Sequence, residues 1–130
     1  MEIAKTYFLS LIVFLGIDAV WLTTMSKNFY GRYLGHLMAD KPNLTAAFIF
    51  YLINIFGMVF LVINPSLKEN SWSRLLWSSA LYGLCTYATY DLTNQATLKN
   101  WPLIVTVVDM IWGMVLTTAV CASVFYLLKK

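Results

Sequence analysis

The stretch LIVTVVDMIWGMVLTTAVCASVFYLL, residues 103–128, carries a single charge, Asp109. About 20 largely apolar residues, each rising 1.5 Å, cross a hydrocarbon core, so this run reads as a membrane span. Its apolar residues are continuous and do not alternate, which makes it a helix and not a barrel strand. Working outward, three more stretches qualify: residues 7–25 with one charge, Asp18; residues 44–63 with none; and residues 75–98 with Asp91 alone. Pro42-Asn43 precedes the second of these, Asn64-Pro65 is expected to end it, and Lys99-Asn100-Trp101-Pro102 forms a polar corner before the last. The expected fold is all-α: four transmembrane helices in an antiparallel up-down bundle, one domain over residues 1–130.

Composition agrees. The 130 residues are 60% hydrophobic and only 12% charged, far from the roughly 25% charged of soluble domains. The nine Lys and Arg are scattered singly, which excludes a nucleic-acid footprint and suits membrane-edge anchors. Cys85 and Cys121 fall inside apolar runs and read as buried, inert thiols and not as a disulfide. With an even number of spans, Lys5, Lys68, Arg74, Lys129 and Lys130 lie on the side of the chain ends, against Lys27, Arg32, Lys41 and Lys99 opposite. That margin of one favours cytoplasmic termini.

Between the first two spans, residues 26–40 place Phe29, Tyr30, Tyr33, Leu34, Leu37 and Met38 at helical spacing, with Lys27, Arg32 and His36 among them. The pattern predicts a short amphipathic helix lying in the interface; an extension of the first helix beyond the membrane is the alternative. A lone histidine cannot build a zinc site, and no metal site is expected.

Three aspartates inside spans decide where function is sought. Each costs about 2.5 to 3.5 kcal/mol at a helix centre unless paired, protonated or hydrated. Counting residues puts Asp18, Asp91 and Asp109 about 10 Å from the same membrane face, with Tyr51 of the second span at that level. Gly83, Tyr87, Tyr90, Asp91 and Asn94 follow one helical stripe, and Asp109 heads Gly113, Thr117 and Cys121 at steps of four. Trp21 and Trp112 each follow an aspartate by three residues, so each indole is expected to share a face with its own carboxylate and donate to it. The candidate ligand-binding set is therefore Asp18, Trp21, Tyr51, Tyr87, Tyr90, Asp91, Asn94, Asp109 and Trp112.

Phe14-x-x-x-Asp18-x-x-Trp21-Leu22, Tyr87-Ala88-Thr89-Tyr90-Asp91-Leu92-Thr93-Asn94, Lys99-Asn100-Trp101-Pro102 and Asp109-x-x-Trp112-Gly113 together resemble the bacterial membrane family called domain of unknown function 2177. The resemblance spans essentially the whole chain. It implies a multi-pass protein of the bacterial inner membrane and brings no activity, cofactor or catalytic residue with it.

Three functional readings follow from the residues. Carboxylates at one depth repel, so they would share protons or a cation, which suits binding or translocating a small cation, a proton or an amphipathic metabolite. An intramembrane enzyme acting on a lipid or isoprenoid-like substrate would use one aspartate as base and another as acid, but no Asp-Asp-x-x-Asp, His-Glu-x-x-His or Gly-x-Ser-x-Gly motif is present. A structural or accessory subunit would use them as glue between helices. Membrane lipid is the expected partner in every case, and a four-span chain has so little interior that a homodimer is open to it.

Overall fold

The computed structural model describes residues 2–129; Met1 and Lys130, the latter counted above on the side of the chain ends, lie outside them, as does the side chain of Glu2. Every regular element is helical: α1 (Glu2–Met25), α2 (Gly31–Leu34), α3 (Leu44–Met58), α4 (Asn64–Glu69), α5 (Trp72–Thr97) and α6 (Leu103–Leu128). The polar breaks act as caps. The Asn43 side chain accepts from the Ala46 N–H at 3.0 Å to start α3, and Ser71 accepts from the Arg74 N–H at 3.0 Å to start α5. Asn70 and Asn100 adopt the left-handed conformation, at φ of 50° and 62°, and turn the chain after α4 and before α6.

Two junctions differ from the sequence expectation. Asn64-Pro65 does not end the second helix, because a wide turn over Val59–Ile63 joins α3 to α4 and the path stays helical to Glu69. Pro65 lies inside this continuous path, and the widened turn ahead of it makes room for the ring. Likewise residues 26–37 are helical but not a separate helix. They continue α1 through a wide turn, Ser26–Tyr30, then α2 and a tight turn, Gly35–Leu37. Phe29, Tyr30, Tyr33 and Leu34 pack on Trp101 and Val105, whereas Leu37 and Met38, read as part of the same apolar face, are exposed.

Three helical runs, 3–37, 44–69 and 103–128, are long and apolar enough to cross a membrane. The fourth expected span lies in α5, which has the length, 26 residues, but not the apolarity. The solvent preference is inverted relative to a water-soluble protein. Phe48, Ile53, Phe56, Phe60 and Ile111 are exposed, while Ser10, Asn54, Ser66, Ser79, Thr106, Thr117 and all three aspartates are buried. A lipid solvent explains both halves of that pattern.

Helix α6 is the centre of the packing, lying against α5 along its length and against α1. The α5–α6 crossing depends on glycine. A Cβ on Gly83 would overlap the backbone carbonyl of Gly113, and one on Gly113 would overlap the Tyr87 ring. Cys85 of α5 is exposed and only Cys121 of α6 is buried, contrary to the reading of both as core thiols. Two residues past the inward Gly83, at 100° per residue, Cys85 points away from α6.

Candidate functional site

A cavity of about 630 Å³ opens between the helices. Its lining comes from every long element: Asp18, Trp21 and Leu22 of α1; Tyr30 from the turn after it; Ala46, Ala47, Phe50 and Tyr51 of α3; Thr86, Tyr87 and Tyr90 of α5; Asp109 and Trp112 of α6. Its shape follows from how α3 sits. The Val59–Ile63 turn packs on α5, and the Tyr82 hydroxyl donates to the Asn54 carbonyl at 3.0 Å, but beyond this point α3 and α5 part. The gap between Ala46, Ala47 and Phe50 on one side and Thr86, Tyr87 and Tyr90 on the other is a lateral cleft.

The polar groups inside form crossed links. The Tyr51 hydroxyl donates to Asp18 at 3.1 Å, joining α3 to α1. The Tyr30 hydroxyl donates to Asp109 in a short hydrogen bond and accepts from the Trp21 indole N–H at 3.0 Å. Trp21 and Trp112 stack, ring centroids 4.1 Å apart and planes 7° from parallel. The two tryptophans therefore do not serve the carboxylates on their own helices, as the spacing suggested. Trp21 of α1 reaches Asp109 of α6 through Tyr30, and the buried Trp112 N–H of α6 faces Asp18 of α1 without completing a hydrogen bond. Face-to-face stacking across the α1–α6 contact turns each indole toward the partner helix.

Asp91 is 0% exposed and lies behind the cavity wall. Among the described residues, no N–H or hydroxyl group donates to either of its carboxyl oxygens; the group they face is the Asp109 carboxyl. Two carboxyl groups thus face each other in the interior, a contact that is unfavourable when both are ionised. Among the described residues, no three acidic, cysteine or histidine side chains come close enough to hold a metal ion.

Of the nine predicted residues, Asp18, Trp21, Tyr51, Tyr87, Tyr90, Asp109 and Trp112 line the cavity. Asp91 and Asn94 do not; Asn94 sits a turn further along α5, its side chain near the Tyr90 hydroxyl. Tyr30 and Thr86 were missed as site residues. Tyr30 was counted only as apolar surface of an interfacial helix, and its reach into the site depends on the wide turn at residues 26–30, which no local signal announces. Thr86 lies next to Tyr87 and borders the cleft because α3 and α5 diverge.

Residues 3–127 match the family described as predicted membrane protein, DUF2177. The chain belongs to this family. No curated protein and no solved structure matches it. The matched range takes in every residue of the cavity and both junctions where the helical path widens. The DUF2177 description states a membrane protein and no activity, so what the site does rests on its own geometry.

Proposed function

We propose that this DUF2177 protein binds an amphipathic cation that enters the cavity from the bilayer. One observation carries the reading: Asp18 of α1 and Asp109 of α6 line an apolar-walled cavity, with Asp91 of α5 behind its wall, and no basic residue is among the lining. Among the described residues the ion pair found is Arg74–Glu69, away from the site. Asp18 and Asp109 bring carboxyl groups, Tyr87 and Tyr90 bring aromatic rings, which attract cations, and Leu22, Ala46, Ala47 and Phe50 accept an apolar body. A volume of about 630 Å³ falls among sites for small organic ligands.

The test uses a lipophilic cation and its isosteric anion. Tetraphenylphosphonium, added to the purified chain in lipid nanodiscs, should perturb the fluorescence of the stacked Trp21 and Trp112, and tetraphenylborate should not. Asp18→Asn and Asp109→Asn should each weaken cation binding by about tenfold or more, the scale of removing one opposite charge near the bound cation. Equal response to both ions, or cation binding untouched by both substitutions, would leave the carboxyl groups as glue between helices.

The same reading makes α5 a fourth crossing. Its 26 residues would extend about 39 Å. Several of its hydroxyls are satisfied within the helix, Thr89 donating to the Cys85 carbonyl at 2.6 Å and Thr97 to Thr93 at 2.8 Å, which lowers the cost of placing them in lipid. Lys5, Lys68 and Lys129 share one end of the molecule and Leu34 and Trp101 the other, as an up-down bundle requires. Residues 26–37, with Lys27, Arg32 and His36 exposed, suit the interface at the second end. The bacterial inner membrane, with termini in the cytoplasm, fits this arrangement and the charge count.

A further inference from the structure

The end of the molecule remote from the aspartates carries a second cavity, of about 530 Å³. The fold gathers three cations there that the sequence scatters: Lys5 of α1, Lys68 of α4 and Lys129, which follows α6. Asn64 adds an amide, and Leu67 and Leu128 add apolar wall. Like charges brought together repel unless an anion joins them. Among the described residues the one carboxylate in an ion pair is Glu69, taken by Arg74 at 2.5 Å, and no described carboxylate pairs with a lysine of this cavity. The Lys129 ammonium instead lies 5.8 Å from the centre of the Tyr126 ring.

We propose that this cavity binds the phosphate group of an anionic phospholipid. The lysines and Asn64 take the head group, and the leucines take the glycerol and upper acyl carbons. The mixed lining favours a lipid over free phosphate, because a free anion makes no use of the leucines. The position fits as well: helix ends are where head groups meet a membrane protein, and basic pockets between helices there recognise phosphate-bearing heads. Ordinary membrane-edge anchoring would ask only for lysines reaching water singly, without a shared cavity.

Native mass spectrometry of the full chain, released from detergent with phosphatidylglycerol or phosphatidylcholine of identical acyl chains, tests this. Wild type should retain phosphatidylglycerol preferentially. Each lysine changed to glutamine should weaken retention by about fivefold, and Lys5→Gln/Lys68→Gln/Lys129→Gln together by roughly a hundredfold. A charge-matched variant at the other end, Lys27→Gln/Arg32→Gln/Lys41→Gln, should retain the lipid as wild type does. Equal retention of the two lipids by wild type, or equal loss in both triple variants, would overturn the proposal. So would full displacement by millimolar inorganic phosphate, which would assign the cavity to the free anion. Asp18→Asn and Asp109→Asn should leave lipid retention unchanged, so the outcome is independent of the ligand bound between α3 and α5.

Discussion

At the level of single residues, the site is organised by one hydroxyl that serves two partners. Tyr30 accepts from Trp21 and donates to Asp109, so Tyr30→Phe strands a donor and an acceptor at once. The expected loss is about 1–3 kcal/mol, read as a lower unfolding temperature in a fixed detergent, together with a changed near-ultraviolet circular dichroism signal from the Trp21–Trp112 stack. Unchanged values in both would mean that water replaces the hydroxyl freely. Asp91 gives the opposite sign. Its oxygens receive no N–H or hydroxyl donor among the described residues and face Asp109, so an amide there removes one carboxyl group from the facing pair and offers Asp109 a donor. Asp91→Asn should therefore match or exceed wild-type stability, whereas Asp91→Ala should fall below it by leaving a void. A large loss in Asp91→Asn would refute this account and show that α5 needs the Asp91 carboxyl group itself. The aspartates themselves were legible in the sequence because burying charge in lipid is costly enough to demand a reason. Of their partners, Tyr51 was placed by depth along the second span, but Tyr30 was not, because it reaches Asp109 from a segment whose angle to α6 no local pattern encodes.

Helix pairs obey simpler rules, and here the sequence said more. The row Asp109, Gly113, Thr117, Cys121 is buried throughout, and Gly83 meets Gly113 at the α5–α6 crossing. Small residues at steps of four permit close approach. Glycine content alone does not mark such crossings: an added Cβ on Gly16 would meet nothing within 4 Å. Gly83→Ala should cost about 1–3 kcal/mol through forced separation of the two backbones. Gly16→Ala should be neutral or gain up to about 1 kcal/mol of helix propensity. Thermal unfolding of both variants in one detergent checks the contrast, and equal shifts would refute the crossing. Helix ends were the less legible part. Asn64-Pro65 looks like a stop, yet the chain absorbs it by widening the turn before it, a choice set by Val59, Val62 and Ile63 being held in the core.

For the whole molecule, the open count is whether α5 crosses the membrane with the three more apolar helical runs. Its two faces differ: Ser79, Gly83 and Asp91 are buried against neighbours, while Leu76, Trp77, Leu81 and Leu92 face outward together with Thr89, Tyr90 and Thr93. A helix that shows lipid its leucines and ties its hydroxyls to its own carbonyls can span despite modest average apolarity, because hydropathy counts composition and not facing. Four crossings place residues 39 and 99 on one side of the membrane and residues 73 and 129 on the other. With three crossings, position 99 would join position 73, and position 129 would change sides. Single cysteines introduced as Ala39→Cys, Ser73→Cys, Lys99→Cys and Lys129→Cys distinguish the two, in a Cys85→Ala background that leaves only the buried Cys121. A membrane-impermeant maleimide applied to sealed, oriented vesicles should label Ala39→Cys and Lys99→Cys together and the other pair only after permeabilisation, or the reverse for the opposite orientation. Co-labelling of Lys99→Cys with Ser73→Cys would remove α5 from the bilayer. It would also remove one wall of the cleft from lipid, and with it the route by which an amphipathic cation reaches Asp18 and Asp109.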